Sequence, residues 1–442
     1  MPSSRLPLTV ALTVLIFAAA AAPLVDRDEP RYAQAVREMR ASGDLFVPRN
    51  FGALRPDKPI LIYWLQLGFT AVLGEVELGF RLPSLLAMAL WLWATAGLCQ
   101  ELGGKYQWIL LPGMALAGLY ATPDALVGAL VASCLWAFVH AVNTGKVFWA
   151  SLGWVLLGLG ILAKGPVAPL FVFSALGGFC GRDRASWQKV IPWWGPLLAV
   201  ALMAAWVVPA GVATDWVLIK QAIQRHLLER SLRPLEGHGL RGFWGIFLGP
   251  PFYFASLAFA TFPSVLSLGR HLREVKQSNP RLWRTVVWGV GVPLVVLSLV
   301  ATKLPHYILP AAPLVVMVDS LQARQRTASY WISSLMALTW VWIASQAPYR
   351  KVAQVLCAQG QPTFAFSPQE PSLRFYAGTQ LQVAKNYPGG FSQLLLRPGE
   401  EKRLQLRHLE HLELTRRFSG WNLAKGRKET LLLYRLAATP RE

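Results

Sequence analysis

Apolar runs of about 20 residues recur along this chain, which is what an α-helix needs to cross a bilayer core about 30 Å thick. Hydrocarbon offers no water to the backbone, so each run must pair its own N–H and C=O groups, and a helix does this within one segment. Spans are expected at 6–25, 81–100, 107–121, 124–142, 148–163, 167–181, 191–213, 243–268, 285–301, 307–321 and 330–347. That makes about eleven by hydrophobic length, with the third and sixth short for the task. Composition agrees: 15% of the 442 residues are charged, against about 25% in soluble domains. Residues 59–74 read as an apolar segment at the interface. The first run lacks a small-residue cleavage site before a soluble domain, so it is expected to stay as an anchor.

Charge gives the orientation. Arg182, Arg184 and Lys189, then Arg270, Arg273, Lys276, Arg281 and Arg284, then Arg324 and Arg326 crowd short loops, which the positive-inside rule assigns to the cytoplasm. The net charge of +20 therefore sits beside lipid, where anionic headgroups or phosphates are the natural partners. No nucleic-acid recognition motif accompanies it, so nucleic acid is not expected. The four cysteines form no C-x-x-C pair and indicate neither a zinc cage nor a disulfide framework.

Composition changes at Ala347-Pro348-Tyr349-Arg350. Residues 1–347 are expected to form a polytopic α-helical membrane domain, and 348–442 a small extracytoplasmic α/β domain. In that tail, runs such as Thr363–Phe366, Leu394–Leu396 and Thr430–Tyr434 are separated by turns at Tyr387–Gly390 and Arg397–Gly399, the alternation of strands and turn residues.

Six stretches carry residues that hydrocarbon excludes, and the span count puts all of them on the outer face. They are 26–32, 57–59, Asp124, 164–166, the 215–241 loop and 303–307. In the first, Asp26, Asp28 and Glu29 precede a segment with Tyr32, Val36 and Met39 at i, i+4 and i+7, an amphipathic helix lying along the interface. Each residue has an ordinary reading beside a functional one. The acids either cap and charge-match the helix N-terminus or supply a general base. Lys58 either snorkels or meets a phosphate, and Lys164, between two spans, reads as a snorkelling lysine. Asp124, after Pro123, either starts a helix or stands in a site. Lys303, His306 and Tyr307 offer a cation, an imidazole and a phenol within five residues, more than a turn requires. Arg225, His226, Arg230, Arg233, His238 and Arg241 add to them. Ionisable residues converging on one membrane boundary point to function.

Asp28-Glu-Pro-Arg-Tyr32, Arg37-Glu-Met39, Ser42-Gly-Asp44, Pro48, Asp57-Lys-Pro59 and Tyr63-Trp64 resemble a first outer loop of known pattern. So do Pro123-Asp124, Leu162-Ala-Lys-Gly165 and Lys303-Leu-Pro-His-Tyr-Ile-Leu-Pro310 further along. The resemblance is to the lipid-carrier-dependent membrane glycosyltransferases of the GT-C class, which include aminoarabinose transferases of lipid A modification and, more distantly, protein O-mannosyltransferases. It implies that a sugar passes from a polyprenyl-phosphate (undecaprenyl-type) donor to a lipid, glycan or protein acceptor. The site would lie on the outer face of a bacterial inner membrane. Asp28 would be the catalytic base and Asp124 a second carboxylate. Arg31, Tyr32, Lys58 and Tyr307, with Lys303 and Arg230, would bind substrate, the cations and phenol meeting the donor phosphate. No cofactor is assigned and a divalent metal stays open, although Asp57, one methylene shorter, stands where the family has Glu. His306 also departs from the pattern, where a small polar residue is common. A transporter or flippase of anionic lipid-linked substrates is the alternative reading. It would favour charges near the midplane and internal repeats, and none is visible in this sequence. A scaffold would leave Asp28 and Lys58 free to vary.

Overall fold

Hydrophobic runs become helices throughout the computed structural model, which describes residues 5–103, 109–229, 247–318, 323–365, 369–383, 392–400, 412–422 and 425–436. In chain order the helices begin with α1 (Arg5–Ala21), α2 (Asp28–Ser42), α3 (Leu61–Leu73), α4 (Glu77–Glu101), α5 (Pro112–Leu119) and α6 (Asp124–Thr144). Then follow α7 (Val147–Lys164), α8 (Val167–Cys180), α9 (Arg184–Val190), α10 (Gly195–Val212), α11 (Val217–Gln221), α12 (Gly249–Ala260), α13 (Leu268–Ser278) and α14 (Pro280–Leu299). The last are α15 (Ala312–Val318), α16 (Ala323–Ser345), α17 (Tyr349–Gln359) and α18 (Pro371–Ala377). Two compact units emerge: Met1–Ala20 with Ala35–Leu338, and Ala21–Gln34 with Thr339–Glu442.

Among the described residues five helices are long and apolar enough to cross a membrane: α4, α6, α7, the continuous Arg184–Val212 stretch and α14. The runs at 107–121 and 167–181 hold helices of only 8 and 14 residues, as their length implied. The 307–321 run starts as a 3-10 turn over Pro305–Ala311 before α15. Proline cannot donate within a helix and clashes with the preceding turn, and Pro305, Pro310 and Pro313 fall close together there.

Helix α6 is buried on all sides, so it forms the centre of the first unit. Its contact with α4 is set by tryptophans lying on glycines. Trp91 of α4 covers Gly128 of α6, and Trp136 of α6 covers Gly97 of α4. Small residues let backbones approach where lipid supplies no hydrophobic drive between helices. Helices α8 and α14 come closer still: a Cβ at Gly178 would meet the carbonyl of Arg284 and stand 2.8 Å from the nitrogen of Thr285. The stripe expected on α2 is buried, with Tyr32, Val36 and Met39 at most 3% exposed. These side chains are therefore covered by protein rather than lipid.

The second unit holds a five-stranded sheet in the order β4-β3-β5-β7-β6. Its strands are β3 (Thr363–Ala365), β4 (Leu381–Val383), β5 (Gln393–Leu396), β6 (Leu412–Asn422) and β7 (Arg427–Leu436), while β1 (Arg49–Asn50) and β2 (Ala53–Leu54) form a small hairpin in the first unit. β4, β3 and β5 run parallel, and β5, β7 and β6 antiparallel. Helix α17 packs Tyr349, Val352, Ala353 and Leu356 against Leu395, Phe418, Leu431 and Leu433 of the sheet, an i, i+3, i+4, i+7 stripe.

Beside that core lies a buried polar network. Glu429 accepts hydrogen bonds from Tyr349 Oη and, at 2.9 Å, from Asn422 Nδ2. Arg397 Nε lies 3.1 Å from Glu429 and Lys425 Nζ 3.4 Å, and Lys425 also pairs with Glu370. Burial alone would raise the Glu429 carboxyl; the hydrogen bonds from Tyr349 and Asn422 and the charges of Lys425 and Arg397 outweigh it and hold it below its ordinary value. Burial and the Glu429 carboxylate together push the Tyr349 phenol up.

Two outcomes follow. Gly178→Ala forces α8 from α14 and is expected to cost about 1–3 kcal/mol, read as a lower unfolding temperature in detergent. Glu429 contributes stability that is fully present above the ordinary glutamate value, about 4.3, and lost as pH falls through its lower folded value. The unfolding temperature of wild type should therefore fall more steeply below about pH 4.3 than that of Glu429→Gln.

Candidate active site

Two polar centres stand out, one in each unit. In the first unit, α6 and α7 are joined by a tight connection whose Gly145 is left-handed (φ 71°), so the start of α6 returns beside the end of α7. Asp124 opens α6 and Lys164 closes α7. An acid at a helix N-terminus and a base at a C-terminus each suit the local dipole. The two side chains form an ion pair, with Lys164 only 4% and Asp124 15% exposed. Thr122 Oγ1 donates to the other Asp124 oxygen at 2.9 Å. His306 Nε2 stands 3.9 Å from the oxygen that Lys164 contacts. The Tyr307 ring completes the group, its centroid 5.1 Å from Lys164 Nζ and 5.1 Å from the His306 ring, edge to face.

The turn that presents Asp124 is held from behind. Gln66 of α3 donates through Nε2 to the carbonyls of Phe80 and Ala121, both at 3.1 Å. Ser84 of α4 donates to the Thr122 carbonyl at 3.1 Å. Fully buried Arg81 donates to the Ala19 carbonyl at 2.9 Å, tying α4 to the end of α1.

The second unit contains the first-loop acids, and the structure separates their roles. Asp26 accepts from the Ser372 amide at 2.8 Å and from the Ser372 hydroxyl. Burial pushes its carboxyl up to about 7, against the Ser372 hydrogen bonds and with the Glu370 charge adding to the rise. Glu29 is fully buried, and its Oε2 accepts from the Val25 amide at 2.7 Å. Asp28, the first residue of α2, is exposed, and among the described residues its carboxylate has no hydrogen bond or ion pair. Glu29 thus ties the start of α2 back to the segment before it, while Asp28 remains available to a ligand.

The other expected residues fall in several places. Arg31 and Tyr32 follow Asp28 on α2, Arg31 half-buried and Tyr32 buried. Lys58 is half-buried in the turn before α3. Beside it, Arg55 pairs with Asp57 at 3.1 Å and donates to Tyr63 Oη at 2.8 Å. Lys303 caps the C-terminus of α14, its ammonium donating to the carbonyls of Ser298 at 2.7 Å and of Val300; burial lowers its pKa. Arg230 lies outside the described residues. Lys164 and His306 complete the Asp124 cluster although the sequence offered them as a snorkelling lysine and a departure from pattern. Their shared membrane face was the signal available.

Among the described residues no three His, Cys, Asp or Glu side chains could hold a metal ion together.

A family model described as dolichyl-phosphate-mannose-protein mannosyltransferase matches residues 57–208. The chain is 29% identical over 306 residues to an undecaprenyl phosphate-alpha-4-amino-4-deoxy-L-arabinose arabinosyl transferase of Pseudomonas paraeruginosa, covering 64% of this chain and 52% of that protein. The transferase of the same description from Pectobacterium atrosepticum is 28% identical over 332 residues, 70% of this chain and 55% of that one. The chain thus spans about half the length of the curated relatives it matches. The crystal structure of ArnT from Cupriavidus metallidurans bound to undecaprenyl phosphate superposes with a TM-score of 0.77 at 15% identity, over 97% of both chains. The fold is therefore the GT-C membrane fold with its small C-terminal α/β domain.

Removing one partner of the buried pair leaves an uncompensated charge, at a cost of about 3–5 kcal/mol. Lys164→Met should therefore unfold at a markedly lower temperature than wild type. Asp124→Asn combined with Lys164→Met should recover much of the loss. A double variant no more stable than the single would show that the pair is not what holds these helix ends.

Proposed function

We infer that this chain, which belongs by fold and by sequence with the lipid-carrier-dependent GT-C glycosyltransferases, transfers a sugar from a polyprenyl phosphate to an acceptor at the outer face of the membrane. The observation that carries this reading is Asp28, an exposed carboxylate at a helix N-terminus whose neighbours Asp26 and Glu29 are both engaged. Asp28 takes the proton of the acceptor hydroxyl as its oxygen attacks the anomeric carbon. The bond from that carbon to the phosphate oxygen breaks, and polyprenyl phosphate leaves with the added charge. A placed general base contributes about 10²–10⁴-fold. Fixed cations and a phenol, for which Arg31, Lys58 and Tyr307 serve best, stabilise the charge developing on the phosphate.

Asp124 plays a different part from Asp28. With Lys164 and Thr122 already on its oxygens it is a poor base, and it acts instead as the anion that holds Lys164 and His306 beside Tyr307. The names of the relatives favour undecaprenyl phosphate as the carrier. A lipid-linked donor suits the division of the chain between apolar helices and charged helix ends.

The test compares envelope lipids and glycans by mass spectrometry in a deletion strain carrying no gene, wild type, or Asp28→Asn at matched expression. Wild type is expected to restore a sugar-sized mass increment, and Asp28→Asn to lower it about 10²–10⁴-fold. Full restoration by the variant would remove Asp28 from the mechanism. An increment absent even with wild type would favour transport of an anionic lipid-linked substrate.

A further inference from the structure

We propose that helix α18 of the C-terminal domain clamps the first loop and thereby sets the position of Asp28, with Ser372 and Tyr376 as positioning residues; this rests on the reading of Asp28 as the base.

The loop from Leu24 to Arg27 has no regular structure of its own before α2 begins at Asp28, so its backbone needs external partners. It finds them on one short helix. The Leu24 amide donates to Tyr376 Oη at 2.8 Å. Two residues on, Asp26 accepts from both the amide and the hydroxyl of Ser372. Ser372 and Tyr376 are one turn apart on α18 and so lie on the same face. Between these anchors the Val25 amide is taken by Glu29 from the first turn of α2. The chain is thus fixed at residues 24, 25 and 26, leaving Arg27 as the single residue between the clamp and Asp28.

Helix α18 is itself held rigidly. Leu373 and Ala377 are buried in the core formed with α17 and the sheet. The guanidinium of Arg350 on α17 lies 5.8 Å from the centroid of the Tyr376 ring. Glu370, the residue before the helix, pairs with Lys425 of the Glu429 network. Residues 21–34 accordingly belong to the same compact unit as the tail. A catalytic group carried on a loop gains precision only when supporting residues lock that loop. Here the lock comes from a helix about 340 residues away in sequence, 346 between Asp26 and Ser372.

The experiment uses the full chain in the deletion strain, reading sugar-modified product per unit of protein. Undecaprenyl phosphate affinity is measured in parallel on the purified protein. Ser372→Ala combined with Tyr376→Phe removes two of the anchors while keeping both side chains' packing. Product should fall about 10- to 100-fold, the penalty of a small misplacement of a reacting group, with carrier affinity unchanged. Ser372→Thr alone keeps both donors and should retain activity. In an Asp28→Asn background the double variant should cause no further loss. Wild-type product from the double variant would overturn the clamp and leave Asp28 standing as base. Loss of carrier affinity in step with product would also overturn it, showing a structural role only. Wild-type product from Asp28→Asn itself would sink the underlying reading and the clamp with it.

Discussion

The buried pair of Asp124 and Lys164 is the interaction on which the first unit's polar cluster depends. It closes a helical hairpin, and it brings together charges that neither helix could bury alone. Such a pair rarely improves stability over apolar packing, because desolvating two ions offsets their attraction. Its value is in specifying an arrangement. With Asp124 held by Lys164 and Thr122, His306 and Tyr307 have a fixed anion and a fixed cation to pack against. The supporting bonds from Gln66 and Ser84 keep the preceding turn from moving. Charge placement and helix packing are therefore one problem in this fold. The glycines under Trp91 and Trp136 set how closely α4 and α6 approach, and hence where α6 begins.

The second unit meets a similar constraint by other means. Its sheet buries Glu429 among donors and cations instead of leaving it to solvent. A fully connected polar network rigidifies what it touches, and this one touches the residue preceding α18. The first-loop acids inherit that rigidity through Ser372 and Tyr376. Three carboxylates within four residues thus take three roles: one tied to the tail, one tied to its own loop, one open.

Much of this was legible in the sequence, and the limits have physical causes. Hydrophobic length located the helices, because burial in lipid is a property of each segment by itself. The stripe of Tyr32, Val36 and Met39 was legible from its helical spacing, although protein rather than lipid covers it. Strands β3, β5 and β7 showed as apolar runs, whereas β6, with most of its residues exposed, gave no alternation to read. Pairings across distance were invisible. Lys164 meets Asp124 from 40 residues away, and nothing in Leu162-Ala-Lys-Gly165 announces its partner. The three first-loop acids could not be told apart either, since the distinction lies in Ser372 and in a backbone amide, not in the acids' own spacing. The resemblance offered Lys303 for the donor phosphate, and its ammonium meets the carbonyls that end helix α14.

A carrier-linked donor asks two incompatible things of a protein: an apolar surface for a long chain and a polar pocket for a phosphate. A soluble enzyme would have to build both within one core. This fold separates them by helix direction. Along α6 and α7 the charged residues and the histidine sit at the end where Asp124 and Lys164 lie or toward the opposite end, where His140 pairs with Glu101 of α4 at 2.5 Å. Between them α6 carries no charged residue. Desolvating an ion at the bilayer midplane costs several kcal/mol more than at its edge, so under the proposed function the donor phosphate belongs where the helices end. The helix ends then supply the partial charges that orient acids and bases there. The site follows from that energy difference as much as from any one residue, and substitutions at Asp124 and Asp28 are expected to differ in kind, the first disturbing an arrangement and the second removing a reagent.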